Sequence, residues 1–379
     1  MKGDPMQPLA IYIHVPFCVR KCAYCDFASF SGRQDVWKNY FEVLLGEIDA
    51  WGEELRTRVV RSVFFGGGTP SLVPAEYISA ALNRLRSHAA LSPDCEITIE
   101  ANPGTLTSEK LRIYREAGVN RISIGVQSFD GELLKSLGRI HSPEEAEQAV
   151  RMAREAGFEN ISIDLMYALP GQNMAKWLET LKRAVSLPVQ HISAYSLIVE
   201  EGTEMARRVE SGEVSVPDDD SVNEMQRMAV DFLGKSGFAR YEISNYARPG
   251  CESRHNITYW QVGEYLGLGS AAHSLLNNDR FANPPELEGY LAGQRMLGRE
   301  ARSLSDQKEE HIMLETRMLR GLDLNGWREK FGEDFCAARA AAIRKLENYG
   351  LIEMENGFLR LTAMGLELQD SVVLELLED

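Results

Sequence analysis

The sequence CVRKCAYC, from Cys18 to Cys25, decides how the rest of the chain is interpreted. It places three cysteines at the spacing CxxxCxxC directly after a β-rich segment at residues 11–15. Zinc sites usually combine two pairs of closely spaced ligands, and no fourth ligand lies near these three cysteines. A cubane cluster has four irons, so three thiolates leave one iron with open coordination. The spacing predicts a 4Fe–4S cluster held by Cys18, Cys22 and Cys25; a zinc site with a distant ligand and unrelated buried cysteines are the alternatives.

Strands and helices alternate around and beyond this segment. Five of the β-rich segments are each followed by a stretch of helical character, which is typical of βαβ units and predicts an α/β fold with a parallel sheet. The six segments lie at residues 11–15, 62–65, 96–100, 121–126, 160–167 and 191–197. Thr107 or Ser108, and Ser142 before Pro143, are predicted helix starts. Gly118, Gly157 and Gly237 are predicted to end helices, because glycine adopts the left-handed conformation without strain.

The alternation of strands and helices ends at about residue 307, and a different pattern of predicted elements begins. Helical stretches at 308–319 and 335–349 lead to Asn356-Gly357 between two alternating segments, which is a strong hairpin signal. Helices followed by a hairpin predict a small winged-helix-like domain over residues 301–379. Its 10 basic and 16 acidic residues argue against DNA binding. We interpret it as a packing or partner domain.

Amino-acid composition and charge disfavour some classes of function and location. The chain has 379 residues, of which 44% are hydrophobic, and a formal net charge of −15 from 41 basic and 56 acidic residues. This acidic balance disfavours nucleic acid as a partner, since phosphate binding needs basic residues. Residues 1–8 contain no apolar run of signal-peptide length, and no stretch reaches the roughly 18 apolar residues of a membrane span. We expect a cytoplasmic protein without a transmembrane segment, and peripheral membrane contact stays open.

With the cysteine motif and the strand pattern in place, the chain resembles the radical S-adenosylmethionine (SAM) superfamily, and within it the anaerobic coproporphyrinogen III oxidase group, over essentially its whole length. The resemblance implies a partial (β/α)6 barrel of TIM type over residues 8–300, with SAM chelating the open iron. In that superfamily the reduced cluster cleaves SAM to a 5′-deoxyadenosyl radical. Barrel enzymes carry their chemistry where the strands end.

The resemblance also implies which residues contact SAM. Arg139 matches the arginine expected to hold the SAM carboxylate, and Asp164 matches the aspartate that binds the ribose hydroxyls. Several of the predicted residues also have a structural alternative when considered alone. Arg139 could be a solvated surface charge, Glu100 a surface carboxylate, and the glycine run at residues 66–68 a tight turn. The full predicted set is Tyr12, Tyr24, Gly66, Gly67, Gly68, Thr69, Glu100, Gln127, Arg139 and Asp164.

Two features favour a haem chaperone over the oxidase within this group. The oxidase pattern carries a further cysteine two positions after the third cluster ligand, where this chain has Phe27. The motif HNITYW, residues 255–260, matches the HNxxYW signature of HemW-type haem chaperones. That match implies that His255, Asn256, Tyr259 and Trp260 contact haem, with the imidazole as an axial ligand. A hydrogen-bonded structural cluster is the alternative for these four.

We therefore expect a radical SAM protein that carries haem as cargo to recipient apo-haemoproteins. Oxygen-independent coproporphyrinogen III oxidase is the second hypothesis. An RNA-modifying radical SAM enzyme is the third, and it would need a basic RNA-binding module that this sequence lacks.

Overall fold

The computed structural model describes residues 6–378, so residues 1–5 and Asp379, the last residue of the predicted C-terminal domain, lie outside it. The strands of the larger, N-terminal part are β1 (Gln7–Val15), β2 (Phe17–Cys18), β3 (Phe30–Ser31), β4 (Arg58–Gly67), β5 (Ala90–Ala101), β6 (Arg121–Gln127), β7 (Asn160–Tyr167), β8 (His191–Ser196), β9 (Ala239–Arg240), β10 (Asn245–Ala247), β11 (Tyr265–Leu268), β12 (His273–Leu276), β13 (Asp279–Ala282) and β14 (Leu297–Ala301).

The helices of this part follow the strands in alternation. They are α1 (Trp37–Ala50), α2 (Gly52–Arg56), α3 (Ala75–His88), α4 (Ser108–Glu116), α5 (Gly131–Ser136), α6 (Pro143–Glu155), α7 (Met174–Ser186), α8 (Glu204–Glu210), α9 (Asp219–Lys235), α10 (Arg254–Trp260) and α11 (Leu287–Leu291). Short 3-10 helices lie at Gln34–Val36, Pro70–Leu72 and Pro103–Thr105.

The α/β prediction is confirmed by the sheet. Strands β1, β4, β5, β6, β7 and β8 are parallel neighbours in chain order and form the centre of a 12-stranded sheet. Their inner residues are buried on both faces, which explains the nearly continuous apolar runs in the sequence. The sheet's two outermost strands, β14 and β9, are not neighbours, so the barrel is open, as the partial-barrel prediction requires.

The sheet continues beyond the six predicted strands at both edges. Strand β11 joins β1 in parallel, and β12, β13 and β14 extend that edge as an antiparallel meander. At the opposite edge, β10 and β9 add antiparallel pairs to β8. These short strands were not among the six predicted segments, because two to five residues carry too little periodicity to distinguish them from turns.

The C-terminal part has winged-helix topology. Its elements are α12 (Leu304–Glu315), β15 (Leu322–Asp323), α13 (Leu324–Phe331), α14 (Phe335–Ala338), α15 (Ala340–Asn348), β16 (Ile352–Glu355), β17 (Phe358–Leu361), α16 (Ala363–Glu367) and α17 (Gln369–Leu377). The three strands form an antiparallel sheet in the order β15-β17-β16. Asn356 and Gly357 have φ angles of 53° and 84°, which confirms the predicted hairpin turn.

Two helix boundaries in this part differ from the predictions. Helix α12 begins at Leu304 because Ser303 and Asp306 form a capping box there, four residues before the predicted start. The predicted helix at 335–349 is divided at Arg339, whose φ and ψ of −116° and 31° are not helical. Helix α13 and strand β15 were not predicted.

Helix ends in the barrel follow the expected chemistry. Thr107 is the N-cap of α4, and Ser142 caps α6 in a capping box with Glu145. Gly118, Gly157 and Gly237 have φ angles of 91°, 87° and 84°, as predicted for residues that end helices. Among the described residues, no helix is both long enough and apolar enough to cross a bilayer.

The C-terminal part packs directly on the barrel. Glu242 forms a β-bridge with Met318, and Arg227 donates two hydrogen bonds of 2.7 Å to the Glu367 carboxylate. Helix α12 lies against the outer meander, where Arg280 binds Glu310 at 2.7 Å. These contacts fix α12 beside the β11–β13 edge of the sheet.

We predict that Ser142→Ala lowers the free energy of unfolding by about 1 kcal/mol, because it removes the N-cap hydrogen bond that the Ser142 hydroxyl accepts from the Glu145 N–H at the start of α6. Urea unfolding followed by circular dichroism measures the change. Ser136→Ala, at the last residue of α5, is the matched control and is expected to have little effect. Equal stabilities for the two variants would contradict the prediction.

Candidate functional site

The strand ends of the barrel surround one cavity of about 540 Å³. Loops after β1, β4, β5 and β6 and side chains of β7, β8 and α10 form its wall. The cavity brings together most of the residues predicted from the sequence: Tyr12, Cys18, Cys22, Tyr24, Cys25, Gly67, Gly68, Thr69, Glu100, Gln127, Arg139, Asp164, His255, Asn256 and Tyr259. Of the predicted site residues, Gly66 and Trp260 do not line it.

The three cysteines of the motif are free thiols that share this cavity. The Thr69 hydroxyl donates to Cys18 Sγ at 3.6 Å, and Arg139 Nη1 donates to Cys22 Sγ at 3.5 Å. Burial raises the pKa of the Cys18 and Cys25 thiols, so a positive group is needed to stabilise their thiolates. Hydrogen bonds to sulfur are typical of iron–sulfur sites, where they tune the cluster. The donor set fits a cluster with one open iron.

No trio of histidine, cysteine, aspartate or glutamate within residues 6–378 converges on a single metal ion. A 4Fe–4S cluster does not require such convergence, because each cysteine binds a different iron at a separate corner of the cube.

The glycine turn after β4 packs against the cysteine loop. Gly68 N–H donates to the Val15 carbonyl at 2.9 Å, and Thr69 N–H donates to the Phe17 carbonyl at 2.8 Å. A Cβ on Gly68 would lie 2.8 Å from backbone atoms of Pro16 and Phe17. A Cβ on Gly67, at φ 105°, would overlap the His14 imidazole. These glycines are required so that two backbone segments can approach closely.

His14 is a site residue that the sequence analysis missed. Its Nε2 donates to the Ala28 carbonyl at 2.9 Å, because a carbonyl can only accept. Its Nδ1 therefore accepts from the Tyr12 hydroxyl at 3.0 Å. The imidazole thus ties β1 to the segment that follows Cys25. A polar residue inside the apolar run of β1 was the signal that could have identified it.

Two buried carboxylates, Glu100 and Asp164, lie close enough inside the cavity for the charge of one to raise the pKa of the other. Glu100 Oε2 accepts from Gly67 N–H at 3.3 Å, and the Asp164 carboxylate accepts from the Ser123 hydroxyl at 3.2 Å. Burial, together with the charge of Asp164, raises the pKa of Glu100 to about 8. Burial also raises the pKa of Asp164. The pair therefore favours a cationic ligand, which would stabilise both ionised forms.

Gln127 and Arg139 meet over Gly125 at the end of β6. The β6–β7 register shifts at this point, and Gln127 has a φ of 64°, which is strained for a residue with a side chain. Arg139 Nη2 donates to the Gly125 carbonyl at 2.5 Å, whereas its Nε is buried without an acceptor. A buried donor without a partner indicates room for an anionic group of a ligand.

The HNITYW segment forms α10, which packs on β4. His255 is 1% exposed, with Nδ1 2.9 Å from Ser62 Oγ and Nε2 2.8 Å from the Tyr259 hydroxyl. Its ring stacks on Phe64 at a centroid distance of 5.0 Å. Burial, and then the charge of Arg121, lower the pKa of His255 to about 3, so the ring is neutral at pH 7.

Both ring nitrogens of His255 are occupied, so the imidazole offers no free lone pair to haem iron in this conformation. The arrangement matches the alternative interpretation, a hydrogen-bonded structural cluster. Trp260 lies outside the cavity, with its ring centroid 4.6 Å from the Arg317 guanidinium of the C-terminal domain. Asn256 and Tyr259 do reach the cavity.

Comparisons with known proteins agree with this geometry. The radical SAM superfamily model matches residues 12–184, and the HemN C-terminal domain model matches residues 303–368. The heme chaperone HemW of Lactococcus lactis is 35% identical over 98% of each chain. The HemW proteins of Mycobacterium tuberculosis and Escherichia coli are 36% and 37% identical, covering 98% and 83% of this chain and 96% and 84% of their own lengths.

A solved structure shares the fold. The coproporphyrinogen III oxidase HemN of Escherichia coli superposes with a TM-score of 0.87, covering 100% of this chain and 92% of that chain at 24% identity. At this identity the likeness concerns the architecture of barrel and C-terminal domain.

We predict that Glu100→Gln changes how stability depends on pH in the protein freed of cofactors. The raised pKa means that folded Glu100 holds a proton that the unfolded chain releases above its ordinary pKa of 4.5, so this group's contribution to stability is lost as pH rises toward about 8. Between pH 5.5 and 8.5 the wild type should lose on the order of 2 kcal/mol more than the variant. Urea unfolding at both pH values tests this, with the exposed Glu116→Gln as control. Parallel pH profiles for wild type and Glu100→Gln would contradict it.

Proposed function

The chain belongs to the HemW family of radical SAM proteins, and from this premise we propose that it is a haem chaperone, which binds haem and passes it to apo-haemoproteins. The observation that carries the proposal is the similarity to HemW proteins along nearly the whole chain, barrel and C-terminal domain together. Membership of the radical SAM superfamily implies a 4Fe–4S cluster and SAM as cofactors.

Cys18, Cys22 and Cys25 would hold the cluster, which when bound supplies an open iron and one-electron chemistry. The surrounding chain prepares the loop for it. Thr69 directs a hydroxyl at one sulfur and Arg139 directs a guanidinium at another. Both contacts stabilise thiolate charge in a cavity where burial disfavours it.

The remaining predicted residues would bind SAM. SAM carries a sulfonium charge and an amino group that can donate hydrogen bonds, and both suit a cavity in which burial raises the pKa of Glu100 and Asp164. Its carboxylate matches the buried, unpartnered Nε of Arg139. Asp164 would accept from the ribose hydroxyls, and Gln127 would be held toward the ligand by its strained backbone. Tyr12, Tyr24 and the turn Gly66–Thr69 would complete the binding wall.

The HNITYW segment would contribute to haem handling by fixing the position of an aromatic side chain, and His255 would not bind the haem iron. Its Tyr259 hydroxyl is bonded to His255 and its ring contacts Tyr265 at a centroid distance of 4.6 Å. His255 thereby fixes an aromatic side chain at the edge of the cavity. The proposal also keeps the predicted division of the chain at residues 300 and 301 and the predicted cytoplasmic location. It gives nucleic acid no role.

We predict that Cys22→Ser abolishes 4Fe–4S absorption after anaerobic reconstitution, because one iron loses its protein ligand. Cys18→Ser and Cys25→Ser should do the same. Cys336→Ser, in the C-terminal domain, is the matched control and should retain the wild-type spectrum. A normal cluster spectrum in Cys22→Ser, or zinc in the reconstituted wild type, would overturn the assignment.

We further predict that the reconstituted protein binds haem stoichiometrically and transfers it to apomyoglobin, whose Soret band reports the transfer. In parallel, anaerobic incubation with coproporphyrinogen III, SAM and reductant should yield no protoporphyrinogen IX. Haem binding without porphyrinogen conversion is the expected result. Product formation would assign the chain to the oxidase, and failure to bind haem would reject the chaperone.

A further inference from the structure

A second cavity, of about 640 Å³, lies beside the cysteine loop on the outer meander of the sheet. Strands β11, β12 and β13 form its floor, and Leu314 of helix α12 closes one side. Apolar and aromatic side chains line most of it, together with Asp26, His273 and Arg280. None of its residues outside the shared wall with the first cavity belongs to the predicted cluster or SAM set.

The strand register explains why the polar groups converge. Tyr265 is opposite Leu275, and Leu275 is opposite Arg280, so these three residues form one row across the meander. His273 precedes Leu275 by two residues on β12 and therefore points to the same face of the sheet. Its side chain is exposed into the cavity. The His273 imidazole therefore lies on the same face of the sheet as Leu275, and the Arg280 guanidinium is on the neighbouring strand.

A guanidinium held by hydrogen bonds lies at one end of this cavity. Arg280 donates to the Tyr265 hydroxyl at 3.2 Å and to Glu310 at 2.7 Å. Arg302 binds the other oxygen of the same Glu310 carboxylate at 2.6 Å. Two guanidinium groups therefore share one carboxylate, and of the two only Arg280 lines the cavity. Asp26, on the opposite segment, is exposed at the rim.

We propose that this second cavity is the haem site, with His273 as an axial ligand of the iron and Arg280 pairing with a propionate. The proposal rests on the haem chaperone function and gives that function a location. An iron porphyrin combines a flat apolar ring, a metal that accepts imidazole nitrogen and a carboxylate edge, and the cavity offers a matching surface for each. His273 supplies the ligand that the doubly bonded His255 does not offer.

The location places the cargo beside the cluster. Tyr12, His14, Phe27 and Tyr259 line both cavities and form the wall between them. Phe27 follows the third cysteine by two residues and is 63% exposed, so it can adjust to a ligand on either side. Tyr259 also connects the HNITYW motif to the haem cavity, because its hydroxyl is held by His255. The motif would then support haem binding through this tyrosine.

The test is a titration of ferric haem into the reconstituted protein, followed by absorption spectroscopy. In His273→Ala we expect at least about a 10-fold weaker Kd and loss of the imidazole-ligated Soret position. His88→Ala, at a histidine paired with Asp49 on the far side of β1, is the matched control and should behave as wild type.

A second pair of variants tests the cavity itself. Leu314→Trp should fill it and weaken binding although His273 is intact, whereas Met313→Trp, one residue away and 48% exposed, should bind as wild type. Cluster absorbance and far-ultraviolet circular dichroism confirm that each variant is folded. Wild-type affinity and spectrum in His273→Ala or in Leu314→Trp would overturn this site while leaving the chaperone function intact. Absence of haem binding by the wild type would reject the function as well.

Discussion

The close approach of the glycine turn after β4 to the cysteine loop after β1 is the contact on which the rest of the site depends. Backbone hydrogen bonds from Gly68 and Thr69 to the carbonyls of Val15 and Phe17 join the two segments, and a Cβ at Gly67 or Gly68 would not fit there. The same contact brings the Thr69 hydroxyl to Cys18 Sγ. The glycine turn after β4, which could be taken for an ordinary loop, therefore determines where the thiols lie relative to the strand ends.

Three charged side chains of the first cavity, Glu100, Asp164 and Arg139, are buried and only partly paired with one another. Two buried carboxylates, Glu100 and Asp164, have raised pKa values, and the neighbouring Arg139 is divided between Cys22 Sγ and a backbone carbonyl. Burial therefore favours the protonated form of each carboxylate, and a nearby cationic group of a ligand would favour the ionised form. Binding of a ligand with both cationic and carboxylate groups would pair each of these residues. Ligand binding and local stability are therefore expected to be coupled.

The haem question turns on two histidines with opposite surroundings. His255 is enclosed, neutral and bonded at both nitrogens, so its contribution is to hold Tyr259 and Phe64. His273 is exposed on the short strand β12, in a cavity that is also lined by the Arg280 guanidinium and by Leu275. The C-terminal domain takes part as well, since Leu314 closes the second cavity and Glu310 orients Arg280. The C-terminal domain thus helps to shape the second cavity.

Sequence alone predicts the parallel six-stranded core, the cysteine motif, the helix caps at Thr107 and Ser142 and the Asn356-Gly357 hairpin. These features depend on local chemistry: periodic burial, ligand spacing and the φ preferences of single residues. In the tertiary structure, contacts between distant segments bond the His255 ring to Ser62, place Trp260 against Arg317, and link β1 through His14 to the segment after Cys25. The tertiary structure also creates the meander that aligns Tyr265, Leu275 and Arg280. Those outcomes depend on which distant segments share a hydrogen bond or a cross-strand position, and no local pattern in the chain encodes that pairing.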